Sequence, residues 1–270
     1  MNRTDIAYVI NSTPKYYYLL KAHLTLLRRY APDLCWPVYI GSEEPNNNTI
    51  LSIAKEFNAT IIVLDKNKYE DSFWESRIAT VSKLPDGIRY VFPVQEDFLL
   101  ERPGMNATHF KNVIDEMDQN PLVVSARVMP CPGPNTLDTF INGWSVLGEY
   151  DTYLFTFQAT LWKKHEYVQY LNSVVEYSKK RFSNIKYGSP SWNKMAININ
   201  IAENEEGCAI FKKVFAHTIH LAYIRHSSRS NAVYDCPFPY RPTAVVKGVL
   251  QDWAKELMQR ESIEYFETRD

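Results

Sequence analysis

The chain lacks the usual devices for cradling phosphate. Its 270 residues include only nine glycines, and these form neither Gly-x-Gly-x-x-Gly nor a Gly-Lys-Ser/Thr phosphate loop. The four cysteines, Cys35, Cys131, Cys208 and Cys236, lie far apart and make no Cys-x-x-Cys pair. Such spacing points to neither a zinc site nor a disulfide framework, and suits free thiols in a reducing compartment. Neither sign of charge is in excess: 30 Lys and Arg stand against 31 Asp and Glu. A basic footprint for nucleic acid or anionic lipid is therefore missing. No apolar run reaches membrane-spanning length, and MNRTDIAYVINSTPKYYYLL at the start has only short apolar stretches. The expectation is a cytoplasmic, soluble protein without signal peptide or membrane span.

What is present suffices for one sizeable core. Hydrophobic residues make up 45% and charged residues 23%, which fits a single domain over 1–270. Aromatics reach 14%, with 18 tyrosines. Tyr and Trp offer stacking faces with polar tips to sugars or bases, and they also fill ordinary cores. The first hundred residues alternate short apolar runs with amphipathic segments. IAYVIN (6–11), PVYIGS (37–42), ATIIVL (59–64) and IRYVFPV (88–94) read as strands. YYYLLKAHLTLLRRYA, NTILSIAKEF and SFWESRIATVSKL between them recur at helical spacing. Near-continuous apolar strands separated by helices predict an α/β fold, Rossmann-like, with a mostly parallel sheet covered on both faces. The second half is less regular. NATHFKNVIDEMD (106–118) is expected as a helix, PLVVSARV (121–128) as a strand and YDTYLFTF (150–157) as a half-buried strand. A long helix is read in QATLWKKHEYVQYLNSVVEYSKKRF, and another over 191–207 that stops at Gly207.

The stretch YVFPVQEDFLL (90–100) carries the chemistry. An apolar strand runs into Glu96 and Asp97 and then resumes as Phe98, Leu99 and Leu100. Two adjacent carboxylates at the mouth of a buried strand need water, a cation or a partner. Open α/β sheets bind ligands beyond the carboxyl ends of their strands. With no phosphate cradle, a nucleotide diphosphate would need another source of positive charge, and a divalent cation on these carboxylates supplies it.

On these grounds the chain resembles the GT-A fold glycosyltransferases, and within them family-2-like enzymes, including soluble ones encoded by large DNA viruses. SFWESRIATVSKLPDGIRYVFPVQEDFLL carries most of the likeness: a helix bearing an Arg, then a strand ending in an acidic motif. FTFQATLWKKHEYVQYL is similar to the family's Gln-x-x-Leu/Ile-Trp segment, and NIAENEEG to its acidic helix. The likeness spans roughly residues 5–230. One departure stands out: the family's two Asp separated by one residue are replaced here by Gln95-Glu96-Asp97.

The resemblance implies a metal-dependent transferase, using Mn2+ or Mg2+. It would move a hexosyl or deoxyhexosyl group from a UDP- or GDP-sugar to a glycan or glycoprotein hydroxyl, with inversion. Residues 1–100 would form the nucleotide half and 101–270 the acceptor half. Asp97 and His226 are the metal candidates, with a helix N-cap or a pair with Arg102 the plainer reading of Asp97 and a loop hydrogen-bonder that of His226. Thr13, Glu43, Asp65, Arg77, Glu96 and Gln158 are candidates for the nucleotide sugar. Thr13 could equally cap a helix before Pro14, Glu43 and Asp65 could be loop acids, and Arg77 could pair with Glu75 or Asp71 on a solvated face. Glu203 is the candidate general base, with Asp151 and Asp138 behind it, or else a structural acid. Two other readings compete. One is a catalytically inactive carbohydrate- or nucleotide-binding module on the same scaffold. The other is a nucleotidyltransferase, for which NSTPKYYY is a poor version of the expected loop.

Overall fold

Alternate residues of the first apolar run face opposite ways, and each way finds a helical layer. In the computed structural model, which describes residues 3–69, 72–129, 134–135, 138–224 and 236–265, this run is β1 (Ile6–Asn11). Ile6, Tyr8 and Ile10 enter one core; Ala7 and Val9 enter a second on the other face. A strand buried on both sides has no place for polar alternation, which is why the run reads as continuously apolar.

The elements follow in chain order. A single 3-10 turn (Pro14–Tyr16) leads into α1 (Tyr17–Tyr30), β2 (Val38–Ser42), α2 (Asn48–Phe57), β3 (Thr60–Val63), the short α3 (Lys66–Tyr69), α4 (Phe73–Ser82) and β4 (Tyr90–Gln95). Then come β5 (Leu99–Leu100), α5 (Ala107–Gln119), β6 (Val123–Arg127), β7 (Trp144–Val146), β8 (Thr160–Lys163) and α6 (Lys164–Arg181). The chain closes with α7 (Pro190–Ile199), α8 (Glu205–Val214), β9 (Ile219–Tyr223), β10 (Tyr240–Arg241), β11 (Val245–Val246), β12 (Val249–Leu250) and α9 (Asp252–Arg260).

Among the described residues the main sheet has eight strands in the order β3-β2-β1-β4-β8-β6-β9-β7. The pairs β1–β2, β2–β3, β1–β4 and β6–β9 are parallel, and β8 and β7 run against their neighbours. The predicted α/β architecture with a mostly parallel sheet and helices on both faces is what forms. Going outward, β2 and β3 extend to one side of β1, and β4 lies on the other. The connection reverses direction there, so β1 and β4 flank a switch point whose crevice opens at their carboxyl ends. Their register pairs Asn11 with Gln95, so Ser12-Thr13 and Glu96-Asp97 leave the sheet side by side.

Two expected elements differ. The alternating YDTYLFTF is not a strand: Tyr153 has φ of +54°, and side chains rather than a neighbouring strand take this segment's backbone groups. Residues 191–207 are two helices rather than one. Asn204 caps α8 by accepting from the Gly207 amide, so Gly207 opens a helix instead of ending one. A Cβ there would fall 2.3 Å from the Ile201 carbonyl oxygen, which explains the glycine better than a C-terminal stop does.

Gly41 is the second glycine set by a close approach. A Cβ on it would lie 2.2 Å from Thr80 Oγ1 and 2.9 Å from Asn11 Nδ2, two groups that bond each other at 2.9 Å. Gly41→Ala is expected to push α4 off β1 and β2 and cost about 1–3 kcal/mol, the usual range for overpacking. Urea denaturation of the two proteins measures it; an unchanged midpoint would mean α4 moves freely.

Candidate functional site

The site begins where β4 runs out. Phe98 N donates to Gln95 O at 3.1 Å, closing a tight turn that carries Glu96 and Asp97 before β5 resumes. Asp97 therefore caps no helix. Its carbonyl accepts from Ala244 N at 3.0 Å, and the Val245 amide donates to its carboxylate. Residues 244–250 are thus tied directly to the acidic turn. The two carboxylates line a cavity of about 270 Å³ together with Tyr16, Leu19, Val245, Lys247 and Gly248.

Both acids are half-buried and hold their protons unusually well. Burial pushes Glu96 up to about 7, the neighbouring Asp97 charge adds to this, and Arg77 and Ser12 oppose it. Burial likewise pushes Asp97 up to about 6, against the Val245 amide and Arg77. A cation placed between them would reverse both shifts, because an opposite charge favours the ionised form.

Arg77 belongs to the same field. Its guanidinium lies 3.6 Å from the centre of the Phe73 ring and 5.6 Å from that of Phe157, and Nη1 donates to Phe73 O at 2.9 Å. Burial lowers its pKa, while Tyr167, Glu96, Asp97 and Glu43 act to raise it. Of the partners envisaged for it, Glu75 is engaged elsewhere, accepting from Ser72 Oγ at 2.8 Å and from the Tyr187 hydroxyl, and Asp71 lies outside the described residues. A half-buried guanidinium stacked on an aromatic face, facing two carboxylates without bonding them, has donor groups left for a planar or phosphate ligand.

The other expected residues divide. Thr13 is exposed beside the acidic turn and makes no side-chain cap bond. Glu43, half-buried after β2, shares the electrostatic field of Arg77 and Tyr17. Gln158 Oε1 accepts from the Tyr240 hydroxyl at 2.9 Å, and the Tyr240 ring stacks on Phe98 at 5.2 Å, one residue from Asp97. Asp65 is not brought in. It is exposed, accepts from Asn67 N at 3.0 Å to open α3, and follows a strand three places from β4, on the order of 14 Å away. His226 lies outside the described residues, and Asp138 is exposed in the loop before β7.

Glu203 and Asp151 are occupied. Glu203 Oε1 accepts from Thr156 Oγ1 at 2.7 Å and from Phe157 N at 2.6 Å, and Oε2 accepts from Asn200 Nδ2 at 2.5 Å. Asp151 Oδ1 accepts from Asn135 N at 2.7 Å and Oδ2 from Gly148 N at 2.6 Å. Each carboxylate is an anchor for loop backbone. Glu203 thus has a positioning duty: it fixes Phe157, whose ring packs beside Arg77.

Sequence reasoning missed Lys247 and Lys15. Lys247 and Gly248 form the two-residue turn of the β11–β12 hairpin, with φ of +51° and +81°. Positive φ at both positions is what the favoured short hairpin turn requires. Lys247 lines the cavity of the acidic pair, and Lys15 Nζ comes within 3.9 Å of a Cβ position on Gly248. The signal was there, as Val-Val-Lys-Gly-Val-Leu places a Gly-containing dipeptide between two apolar pairs.

No protein-family model matches the chain, and no curated protein matches it. Solved structures do resemble it. An active-site mutant of LgtC aligns with a TM-score of 0.47 at 9% identity, over 96% of this chain and 97% of that one. Mouse xyloside xylosyltransferase 1 gives 0.39 at 13%, over 79% and 82%. The 4-diphosphocytidyl-2C-methyl-D-erythritol synthase of Anaerococcus prevotii gives 0.38 at 10%, over 84% and 91%. At TM-scores below 0.5 these likenesses carry no argument about activity, which rests on the site.

Two outcomes follow from this geometry. Glu96 is raised above its unfolded value, so the folded protein binds the proton more tightly than the unfolded chain does. Stability from this group is thus present at low pH and lost as pH rises through about 7. Glu96→Gln is expected to melt roughly 2–4 °C above the wild type at pH 8. The difference should vanish near pH 4.5, as followed by calorimetry across pH; a constant offset would place Glu96 in open solvent. Glu203→Gln puts an amide N–H₂ against donors and should lower the melting temperature and loosen Phe157, whereas a base with no structural duty would leave melting unchanged.

Proposed function

We propose that the chain is a glycosyltransferase of the metal-dependent GT-A kind, transferring a sugar from a nucleotide-diphosphate sugar to a hydroxyl acceptor. The observation that carries this is the acidic turn at the carboxyl end of β4, beside the end of β1 at the switch point of the sheet, with cationic side chains around it. A cavity lined by two carboxylates and by Lys247 suits a ligand that is itself a cation joined to a diphosphate.

The residues present fit Mn2+ or Mg2+. No group of three or more His, Cys, Asp and Glu set to hold a metal occurs among the described residues. Ions of this kind nevertheless need only one or two carboxylates when phosphate oxygens complete the shell. Asp97 and Glu96 would hold the cation, which when bound offsets charge on the departing diphosphate. Arg77, Lys247 and Lys15 would attract the same phosphates, and the aromatic groups around Arg77 exclude water from them. Thr13 and Glu43, just after β1 and β2, would meet the nucleoside. Inversion belongs to the same proposal, and the Glu203 carboxylate, engaged by Thr156, Phe157 and Asn200, would have to release a bond to act as its base.

That engagement also favours the second reading, a binding module without catalysis. Product formation separates the two: the transferase forms a glycoside or free sugar from UDP- or GDP-sugars, and the module forms neither. Asp97→Ala should abolish manganese-dependent nucleotide-sugar binding in calorimetry while melting stays cooperative. Lys247→Ala should weaken binding by about tenfold, the worth of one charge-assisted hydrogen bond. Retention of full metal dependence in Asp97→Ala would put the site elsewhere.

A further inference from the structure

Tyr240 is fully buried, and its hydroxyl sits between two partners from the segment just before β8. The Ala159 amide donates to its oxygen at 3.2 Å, and the hydroxyl donates to Gln158 Oε1 at 2.9 Å. Burial pushes the Tyr240 pKa well above its ordinary value, so the proton stays on the oxygen. A phenol has one proton to give. With the Ala159 N–H already pointing at the oxygen, that proton goes to Gln158, and an acceptor must receive it. The oxygen end of the Gln158 amide is thereby turned inward, onto Tyr240.

The nitrogen end is left over. Gln158 is half-buried, and its Nε2 has no partner among the described residues. Nor is that nitrogen enclosed in the core, as the unpartnered Tyr167 hydroxyl is, so its two N–H groups are presented to solvent. The backbone beneath them is tied on both sides: Gln158 N donates to Thr156 Oγ1 at 3.2 Å, and Thr160 Oγ1 donates to Gln158 O at 2.9 Å. An amide fixed at its oxygen and its backbone, with both N–H groups open, is preorganised to donate to a ligand.

Tyr240 is also tied to the acidic turn. It pairs with Leu100 in the β5–β10 ladder, and its ring stacks on Phe98, the residue after Asp97, at 5.2 Å between centres. β8 lies beside β4 and runs against it, so the chain entering β8 and the turn leaving β4 share one edge of the sheet. Along that edge the order is β2, β1, β4, β8. A nucleotide sugar with its nucleoside by β2 and β1 and its diphosphate at the acidic turn carries its sugar on toward β8 and Gln158. From these observations we infer that Tyr240 is a positioning residue of the donor site, holding the Gln158 amide with its N–H groups toward an oxygen of the transferred sugar. This rests on the transferase reading above and adds a selectivity to it. At this point the site donates and does not accept. A hydroxyl or ring oxygen satisfies it, whereas a deoxy carbon or an ammonium group leaves the amide without its bond.

The test uses the intact chain with manganese, titrated with UDP- and GDP-sugars and with free UDP and GDP in a calorimeter. Tyr240→Phe removes one hydroxyl and keeps the packed ring, so melting stays cooperative while the amide is released to turn. Nucleotide-sugar affinity is expected to fall by about three- to tenfold, the worth of one neutral hydrogen bond, and free nucleotide to bind as before. Gln158→Glu, whose carboxylate has no N–H, should lose at least as much. Tyr240→Phe combined with Gln158→Ala should bind no more weakly than Gln158→Ala alone. Undiminished nucleotide-sugar affinity in Tyr240→Phe, an equal loss for free nucleotide, or losses that add in the double variant overturn the assignment. The side-chain amide NMR signals of Gln158, identified by their absence in Gln158→Glu, should shift in Tyr240→Phe without any ligand; unmoved signals overturn the positioning as well. Failure of wild type to bind any nucleotide sugar overturns the transferase reading and the sugar contact with it, and the NMR shift then reports on the Tyr240–Gln158 bond alone.

Discussion

Two adjacent carboxylates withdrawn from water at the end of β4 are the constraint around which the rest is arranged. Each would be more stable in solvent, and the fold compensates only in part. The Val245 amide steadies Asp97, and Arg77 acts on both acids from a distance without closing an ion pair. A site optimised for stability would complete those bonds or replace the acids with apolar groups. Leaving them raised in pKa and open to a cavity gives a position that a cation can occupy with gain.

The hairpin β11–β12 follows from the same constraint. It reaches the acidic turn through Ala244 N and Asp97 O, far apart in sequence, and Gln251 N returns to Ala244 O at 2.8 Å to close it. Lys247, in the turn of this hairpin, thereby lines the same cavity as the two carboxylates. The loop before β8 is handled similarly from the other side: Glu203 and Asp151 use their carboxylates on backbone amides, which holds Phe157 against the Arg77 guanidinium. Charges in this half of the molecule serve position, and those at the end of β4 line a cavity.

Glu203 shows what a single chain of letters conceals. In NIAENEEG it looks like any acid following an apolar helix face, and a base is a fair reading of that pattern. Its partners, Thr156 and Phe157, are nearly fifty residues away, and only the tertiary fold, which sets the link between α7 and α8 beside the loop before β8, brings them within hydrogen-bond reach. Arg77 is the converse case. The helical spacing allowed a solvated face, and the packing of α4 turned the guanidinium inward onto Phe73 instead.

The parallel half of the sheet was determined by sequence alone, because strands buried on both faces must be apolar throughout and their helices must be amphipathic. The same local rule located the acidic turn, since a polar break in such a run can only lie at its end. Tertiary structure decided what surrounds that turn. Lys15 comes from the start of the chain, Phe157 and Gln158 from its middle, and Tyr240 and Lys247 from near its end, and no local periodicity records which of them meet. Hydrogen bonds between distant loops depend on the whole core being formed first, so the charge balance of the site belongs to the fold and not to any stretch of the chain.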